Sequence, residues 1–383
     1  MTLDDDARAE LRALDAANGL RVPRIVDGRQ GPRVTLDGVE VTSFASNDYL
    51  ALAGDRRLAD AAAAAAEEHG TGVGASRLIV GNHRRHVGLE RAIADWMRCD
   101  GVRLFANGYA ANVGVLSALA GPDDVVISDE LDHASIIDGC RLSRATIVVA
   151  KHRDVAAVER ALVEYRGRRC FVVSESLFSM DGDLADVRAL AELCKRHDAA
   201  FVLDEAHALG ARGPEGRGVA AAAGIVPDVL VGTCGKALGS FGAFVATTRA
   251  VADWLWNRAR PFVFSTGLPP MVTAATEAAI AIVRGSEGDD RRRVLSDHAR
   301  RFRMRITSAG GAPDSAIAPL VIGDDREVMH WTGRLLEQRV FVQGIRPPTV
   351  PEGTARLRVS VSAGHRTEDI EQVADLLHDA VRR

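Results

Sequence analysis

Seven short apolar runs recur along the middle of this chain, and most are separated by stretches of helical spacing. No other feature restricts the fold as much. The runs are Val102–Phe105, Val125–Ser128, Thr146–Ala150, Cys170–Ser174, Phe201–Asp204, Val229–Thr233 and Ala243–Thr247. Each is short and largely apolar, so each reads as a buried strand. The intervening stretches, such as Asp186–His197, repeat their apolar residues with the period of an amphipathic helix. Strands alternating with helices imply an α/β fold with a large, mostly parallel, seven-stranded sheet covered by helices on both faces. The 383 residues are 47% hydrophobic and 26% charged, enough to bury a sizeable core and too apolar for wholesale disorder.

Three parts are expected. Residues 1–45 read as an amphipathic helix followed by Gly/Pro-rich turns. Residues 46–285 hold the sheet. A long helical stretch runs toward Arg284, and the polar segment from Gly285 to Arg293 then suggests a boundary. Residues 286–383 read as a smaller α+β domain with strands near Ala316–Ile322 and Arg356–Val361 and a closing helix from Thr367.

Charge and cysteine usage exclude several classes. Lys plus Arg is 48 against 52 Asp plus Glu, a net charge of −4. Nothing there points to nucleic acid or a membrane surface as partner. The longest uncharged run, Leu104–Pro122, contains Asn107, Gly108, Gly121 and Pro122, so it reads as strand, turn and helix and not as a membrane span. Five cysteines without a C-x-x-C pair read as reduced thiols, not a disulfide frame or a zinc site. The acidic start Met1-Thr2-Leu3-Asp4-Asp5-Asp6 is opposite to the basic opening of a signal peptide. A cytoplasmic protein without a bound metal is expected. His83 and His86 share a helix face with no third ligand nearby and read as surface residues.

Ligands of open α/β sheets bind outside the carboxyl ends of the strands. Four strand ends here carry polar clusters: Asp129-Glu130-Leu131-Asp132-His133, Glu175-Ser176-Leu177-Phe178-Ser179, Asp204-Glu205-Ala206-His207, and Thr233-Cys234-Gly235-Lys236. The Asp-Glu-Ala-His tetrad is also how a helicase-type ATPase writes its magnesium motif. That enzyme needs the phosphate loop G-x-x-x-x-G-K-[ST]. The one Gly-Lys pair, Gly235-Lys236, is followed by Ala237, and Leu230 stands where the first glycine belongs.

Schiff-base chemistry fits better. The chain has 45 Arg but only three Lys: Lys151, Lys195 and Lys236. A pyridoxal phosphate site needs a lysine to hold the aldehyde as an imine and a carboxylate to keep the pyridine nitrogen protonated. Lys236 and Asp204 stand at strand ends. Asn107-Gly108-Tyr109 opens a helix whose amides suit a phosphate, and Thr233 adds a hydroxyl. Singly these residues have ordinary explanations. A lysine in a Gly-rich turn is usually a solvated charge, Asp204 suits a turn or helix cap, and His133 suits a cap as well. Their arrangement across four strand ends is hard to explain as capping.

The segments Ser46-Asn47-Asp48-Tyr49-Leu50, Gly74-Ala75-Ser76-Arg77-Leu78, Asp132-His133-Ala134-Ser135 and Arg346-Pro347-Pro348-Thr349-Val350-Pro351 extend the pattern over essentially the whole chain. The sequence resembles the α-oxoamine synthases, pyridoxal-phosphate enzymes of the aspartate-aminotransferase fold (PLP fold type I). The resemblance implies that Lys236 carries the cofactor, Asp204 pairs with its ring nitrogen, His207 bonds its ring hydroxyl and His133 stacks on its face. It assigns cofactor contacts to Gly108, Tyr109, Ser179 and Thr233, with Thr266 reaching the phosphate of a neighbouring subunit in a homodimer. Arg21, Asn47, Thr349 and Arg358 would engage substrates, with Arg358 on the amino-acid carboxylate, and Glu175 would support the site.

The resemblance looks closest to the biotin branch, which condenses L-alanine with a pimeloyl thioester carried on coenzyme A (pimeloyl-CoA) or on acyl carrier protein (pimeloyl-ACP). Other branches join glycine to acetyl-CoA or succinyl-CoA, or serine to a long acyl-CoA. Some relatives are non-catalytic subunits that lack the lysine, which is present here. Arg291-Arg292-Arg293 and Arg300-Arg301 read as a solvated face and not as a docking patch for an acidic carrier.

Overall fold

A computed structural model describes residues 2–16 and 19–381. The first residue of the acidic start and the last two of the expected C-terminal domain lie outside the described residues. The seven apolar runs are seven strands: β1 (Gly101–Phe105), β2 (Val125–Asp129), β3 (Thr146–Ala150), β4 (Cys170–Glu175), β5 (Ala200–Asp204), β6 (Val229–Thr233) and β7 (Ala243–Thr247). They form one sheet in the order β1-β7-β6-β5-β4-β2-β3. β7 is antiparallel to β1 and β6, and the remaining pairs are parallel.

Alternation along the strands explains the two-sided core. Val125, Ile127, Cys170, Val172, Phe201 and Leu203 pack on one face with the helices Val155–Glu164 and Val187–His197. Val126, Phe171, Val173, Val202, Val229 and Val231 pack on the other with the helices Gly108–Leu119 and Ala134–Ser143. Successive side chains of a strand point to opposite faces, so an unbroken apolar run is what a doubly covered strand requires. β3 departs from the expectation of a buried strand. Among the described residues it pairs only with β2, and Ile147 and Val149 are exposed.

The chain divides into two compact units. The larger comprises Asn47–Ser179 and Asp183–Val294. The smaller joins the segment ending at Ser46 to Met180–Gly182 and to the chain from Leu295 onward. The first 45 residues are therefore not a separate part. Their strands Arg33–Leu36 and Val39–Ser43 form a hairpin, and the second pairs with Val340–Phe341. The Ser360 amide donates to the Phe44 carbonyl at 2.7 Å. The smaller unit also holds an antiparallel sheet of Ile317–Gly323, Ala355–Ser360 and Gln343–Ile345, and ends in the helix Thr367–Val381.

The segment Gly285–Arg293, where a boundary is expected and which ends one residue before the larger unit does, is not an irregular connection. The helix Ser286–Arg305 runs through it. Nor is its arginine triplet uniformly a solvated face. Arg292 is buried and donates to the carbonyls of Gly210 and Val283 at 3.2 and 3.0 Å, and Arg291 donates to the Leu50 carbonyl at 2.6 Å. Arg293, Arg300 and Arg301 are exposed. His86 is also not a surface residue. It is fully buried, with Nε2 2.7 Å from the Leu268 carbonyl, while His83 caps the helix Arg84–Met97.

Candidate active site

The four polar clusters lie at the carboxyl ends of β2, β4, β5 and β6, which are neighbours in the sheet. Asp204 ends β5, in register with Glu175 at the end of β4. It is buried, and both its oxygens are fixed: Asn112 Nδ2 donates to Oδ2 at 2.6 Å, and the Ala206 amide donates to Oδ1 at 2.7 Å. Buried carboxylates persist where donors of this kind satisfy them. Asn112 also reaches Ser135 Oγ at 2.9 Å, which ties Asp204 to the helix behind His133.

His133 does cap a helix, as its ordinary explanation holds. Its Nδ1 accepts from the Ser135 amide at 3.2 Å at the start of Ala134–Ser143. Burial lowers its pKa, Asp204 opposes that shift, and Lys236 adds to it. The cap therefore stands within electrostatic reach of both key residues. His207 is buried, with Nδ1 2.7 Å from the Tyr49 hydroxyl, which donates to Asn47 Oδ1 at 3.1 Å. Glu175 is buried, and burial pushes its pKa well above the usual carboxylate range, with Asp204 and Asp132 acting in the same direction.

Lys236 stands in the connection between the antiparallel strands β6 and β7. The loop is closed by the Cys234 amide on the Gly242 carbonyl at 2.8 Å and turned by the Gly239 amide on the Lys236 carbonyl at 2.8 Å. Thr233 is buried, and its hydroxyl donates to the Gly242 carbonyl at 3.2 Å. Ser179 is buried four positions beyond Glu175. Gly108 and Tyr109 begin the helix Gly108–Leu119, capped by Asn107, whose side chain accepts from the Ala110 amide at 2.8 Å. Tyr109 is 46% exposed and its hydroxyl bonds Asp138, so the backbone is what it offers a phosphate. Thr266 is exposed and bridges Ser76.

These residues and Asn47 belong to the larger unit. Arg21, Thr349 and Arg358 belong to the smaller one. There Arg21 Nη2 donates to Thr349 Oγ1 at 3.1 Å. Both line a cleft of about 840 Å³ with Arg346, Gln343 and Phe341. Arg358, in the strand Ala355–Ser360, is buried and donates to Ser360 Oγ at 2.8 Å.

The residues of the larger unit fit pyridoxal phosphate by the chemistry of their donor set. Asp204 is an immobilised acceptor for a ring nitrogen. The first amides of Gly108–Leu119 have no intrahelical acceptor. The space over Gly108 is open, since a β-carbon there would meet only Thr233 Cβ at 3.9 Å. Two supports were missed in the sequence, Asn112 behind Asp204 and Tyr49 behind His207. Asn112 was signalled by being the one amide inside an apolar helix, where a buried polar group implies a partner.

The aminotransferase class I and II family model matches residues 39–377. A curated 8-amino-7-oxononanoate synthase from Pelobacter propionicus is 45% identical over 380 residues, covering 98% of this chain and 97% of that protein. Among solved structures, a serine palmitoyltransferase from S. paucimobilis with a bound PLP–myriocin aldimine superposes with a TM-score of 0.92 at 30% identity, covering 99% of this chain and 97% of that one. An 8-amino-7-oxononanoate synthase from Francisella tularensis gives 0.77 at 26% identity, covering 89% and 98%. The chain belongs to the aminotransferase class I and II family and, within it, to the family of the 8-amino-7-oxononanoate synthases.

Proposed function

We propose that this chain condenses L-alanine with a pimeloyl thioester, on coenzyme A or acyl carrier protein. The products are 8-amino-7-oxononanoate, carbon dioxide and the free thiol carrier, a step of biotin synthesis. The observation that carries the reading is 45% identity over nearly the full length to a protein of that name. When bound, pyridoxal phosphate supplies a ring that draws electrons from the substrate's Cα.

The residues divide the remaining work. Lys236 Nζ holds the cofactor's aldehyde carbon at rest, takes the Cα proton of L-alanine and returns a proton to the product. Asp204, fixed by Asn112 and the Ala206 amide, keeps the proton on the ring nitrogen. His207 holds the ring hydroxyl, with its own ring set by Tyr49. His133 covers the ring face and helps orient the substrates. Gly108, Tyr109, Ser179 and Thr233 hold the cofactor, chiefly near its phosphate, and Thr266 does so from a neighbouring subunit of a homodimer. Arg358 grips the alanine carboxylate through a planar fork, and Arg21, Asn47 and Thr349 engage the substrates. The protein works in the cytoplasm. Among the described residues, no helix is long and apolar enough to cross a membrane.

A second reading, serine with a long acyl thioester, is favoured by one observation: the higher TM-score to the serine palmitoyltransferase, 0.92 against 0.77. Spectral titration of the cofactor-loaded protein with alanine, glycine and serine separates the two, followed by thiol release from pimeloyl-CoA and palmitoyl-CoA. Alanine and pimeloyl-CoA should be preferred. Preference for serine and palmitoyl-CoA would establish the second reading, and no response to any amino acid would defeat both.

A further inference from the structure

One imidazole outside the residues assigned so far ties two parts of the site together. His152 lies just beyond the end of β3. Its Nδ1 is 2.9 Å from Asp129 Oδ1, its Nε2 is 3.0 Å from Asp183 Oδ2, and its ring meets Phe178 edge-on at 4.4 Å and 85°. Ionised carboxylates only accept hydrogen bonds, so both ring nitrogens donate and the ring is an imidazolium. Burial alone would lower its pKa, but Asp129 and Asp183 outweigh burial and push it up to about 10.

Each carboxylate stands four positions from a residue assigned to the cofactor. Asp129 is the last residue of β2, four positions before His133. It also accepts from the amides of Leu131 at 2.8 Å and Arg153 at 2.7 Å, and its own amide donates to Asp132 Oδ2 at 2.9 Å. Asp132 Oδ1 accepts from the Glu175 amide at 3.0 Å. Asp183 stands four positions after Ser179. Leu177 and Leu184 form an antiparallel bridge, and the Phe178 amide donates to the Asp183 carbonyl at 3.0 Å, closing the loop that carries Ser179. The other charges facing the cluster are Arg153, whose Nη1 reaches Asp183 Oδ2 at 3.0 Å, and Glu130. Glu130 accepts from the His152 amide at 3.0 Å and pairs with Lys151 at 2.8 Å.

We propose that His152 is a positioning residue for the cofactor site. Through Asp129 and Asp183 it staples the turn that presents His133 to the loop that presents Ser179, and so fixes the spacing of those two side chains. The proposal rests on the assignment of His133 and Ser179 to the cofactor. Arg153 touches the same two aspartates but is 49% exposed in its side chain, whereas His152 is the group packed between them. An imidazolium donates from two separate ring nitrogens and so spans two carboxylates, whereas a glutamine amide has both its donors on one nitrogen.

Three variants test this: His152→Ala, His152→Gln and Asp183→Asn. The first readout needs no cofactor. Hydrogen exchange by mass spectrometry on the chain without pyridoxal phosphate should show peptides spanning 129–135 and 177–185 losing protection together in His152→Ala, while peptides from β6 and β7 keep theirs. The second is the affinity for pyridoxal phosphate and the induced circular dichroism of the bound chromophore. The Kd should rise about tenfold or more and the dichroic band should shrink in His152→Ala, with His152→Gln and Asp183→Asn between it and wild type. Wild-type protection in both segments with a Kd within about twofold of wild type would overturn the proposal. So would uniform loss of protection across the whole chain at unchanged Kd, which marks a merely structural role. If His152→Ala does not fold, the same criteria apply to His152→Gln and Asp183→Asn. If wild type binds no pyridoxal phosphate, the proposed function fails, and coordinated exchange of the two segments still decides the staple.

Discussion

Gly239→Ala is the substitution whose cost follows most directly from the packing behind the site. Gly239 has φ +60 and closes the turn of Lys236 with its amide on the Lys236 carbonyl at 2.8 Å. A β-carbon there would lie 2.3 Å from the Ala53 nitrogen and 2.4 Å from the Leu52 carbonyl carbon. That is about 1 Å short of ordinary contact. The opposing wall cannot easily retreat, because the amides of Leu52 and Ala53 are held by the buried Asp48 carboxylate at 2.8 and 3.0 Å. The lysine turn must move instead. A left-handed φ costs alanine about 1 kcal/mol and overpacking about 1–3 kcal/mol, so the variant should lose about 2–4 kcal/mol. With Lys236 in its proposed role, displacing its amine by about 1 Å should cost about 100-fold in turnover. Urea unfolding of the chain gives the first figure, and thiol release from pimeloyl-CoA gives the second. Gly235→Ala is the control. Its β-carbon would meet nothing nearer than 3.8 Å, and its stability should stay within about 0.5 kcal/mol of wild type. An unchanged urea midpoint and turnover in Gly239→Ala would refute the reasoning.

Other outcomes follow from the same geometry. Asp204→Asn should still bind cofactor but lose about 100-fold or more in rate, because an amide cannot hold the ring nitrogen protonated; normal turnover would remove that role. Arg358→Lys should raise the KM for alanine about tenfold with a smaller change in kcat, since an ammonium cannot make the two parallel bonds of a guanidinium; an unchanged KM would move the carboxylate site elsewhere. His365 is stacked on Phe44 at 4.2 Å, and burial lowers its pKa to about 4. The unfolded chain takes up this proton first, near pH 6.5. Stability from His365 is therefore complete above that pH and is lost as pH falls toward 4, by about 3 kcal/mol. Denaturant melts from pH 7 to 4 should show this slope and His365→Gln should flatten it; the same slope in both proteins would contradict the assignment.

The sheet was legible because most of its strands are covered on both faces, which writes each of those as an apolar run; β3, half exposed at the edge, is apolar all the same. β3, β6 and β7 have the bounds read from the sequence, and the other four differ by one residue at one end. The N-terminal hairpin was missed although it carries a local signal. Asp37-Gly38 joins Arg33–Leu36 to Val39–Ser43, and both turn residues have positive φ, 51° and 80°, as a tight hairpin needs. Glycines on either side made the stretch read as turns alone. Ser286–Arg305 was missed because the stretch at its start, Gly285–Arg293, is wholly polar and reads as a boundary. It is a helix held by Arg292 on backbone carbonyls and by Arg291 paired with Glu287 at 2.8 Å. The candidate site residues stood out at strand ends, but their supports did not. Asn112 and Asp204 are 92 positions apart, and Tyr49 and His207 are 158 apart. No local pattern records such contacts. The Asp–His–Asp staple at His152 is hidden for the same reason.

Borohydride reduction of the protein loaded with pyridoxal phosphate, followed by peptide mass mapping, is the most direct measurement of the central claim. The chain offers three lysines. The account expects one pyridoxyl group on Lys236, none on Lys151 or Lys195, and loss of the yellow colour in Lys236→Ala. A label on either other lysine with Lys236 unmodified, or no label on any of them, would contradict it.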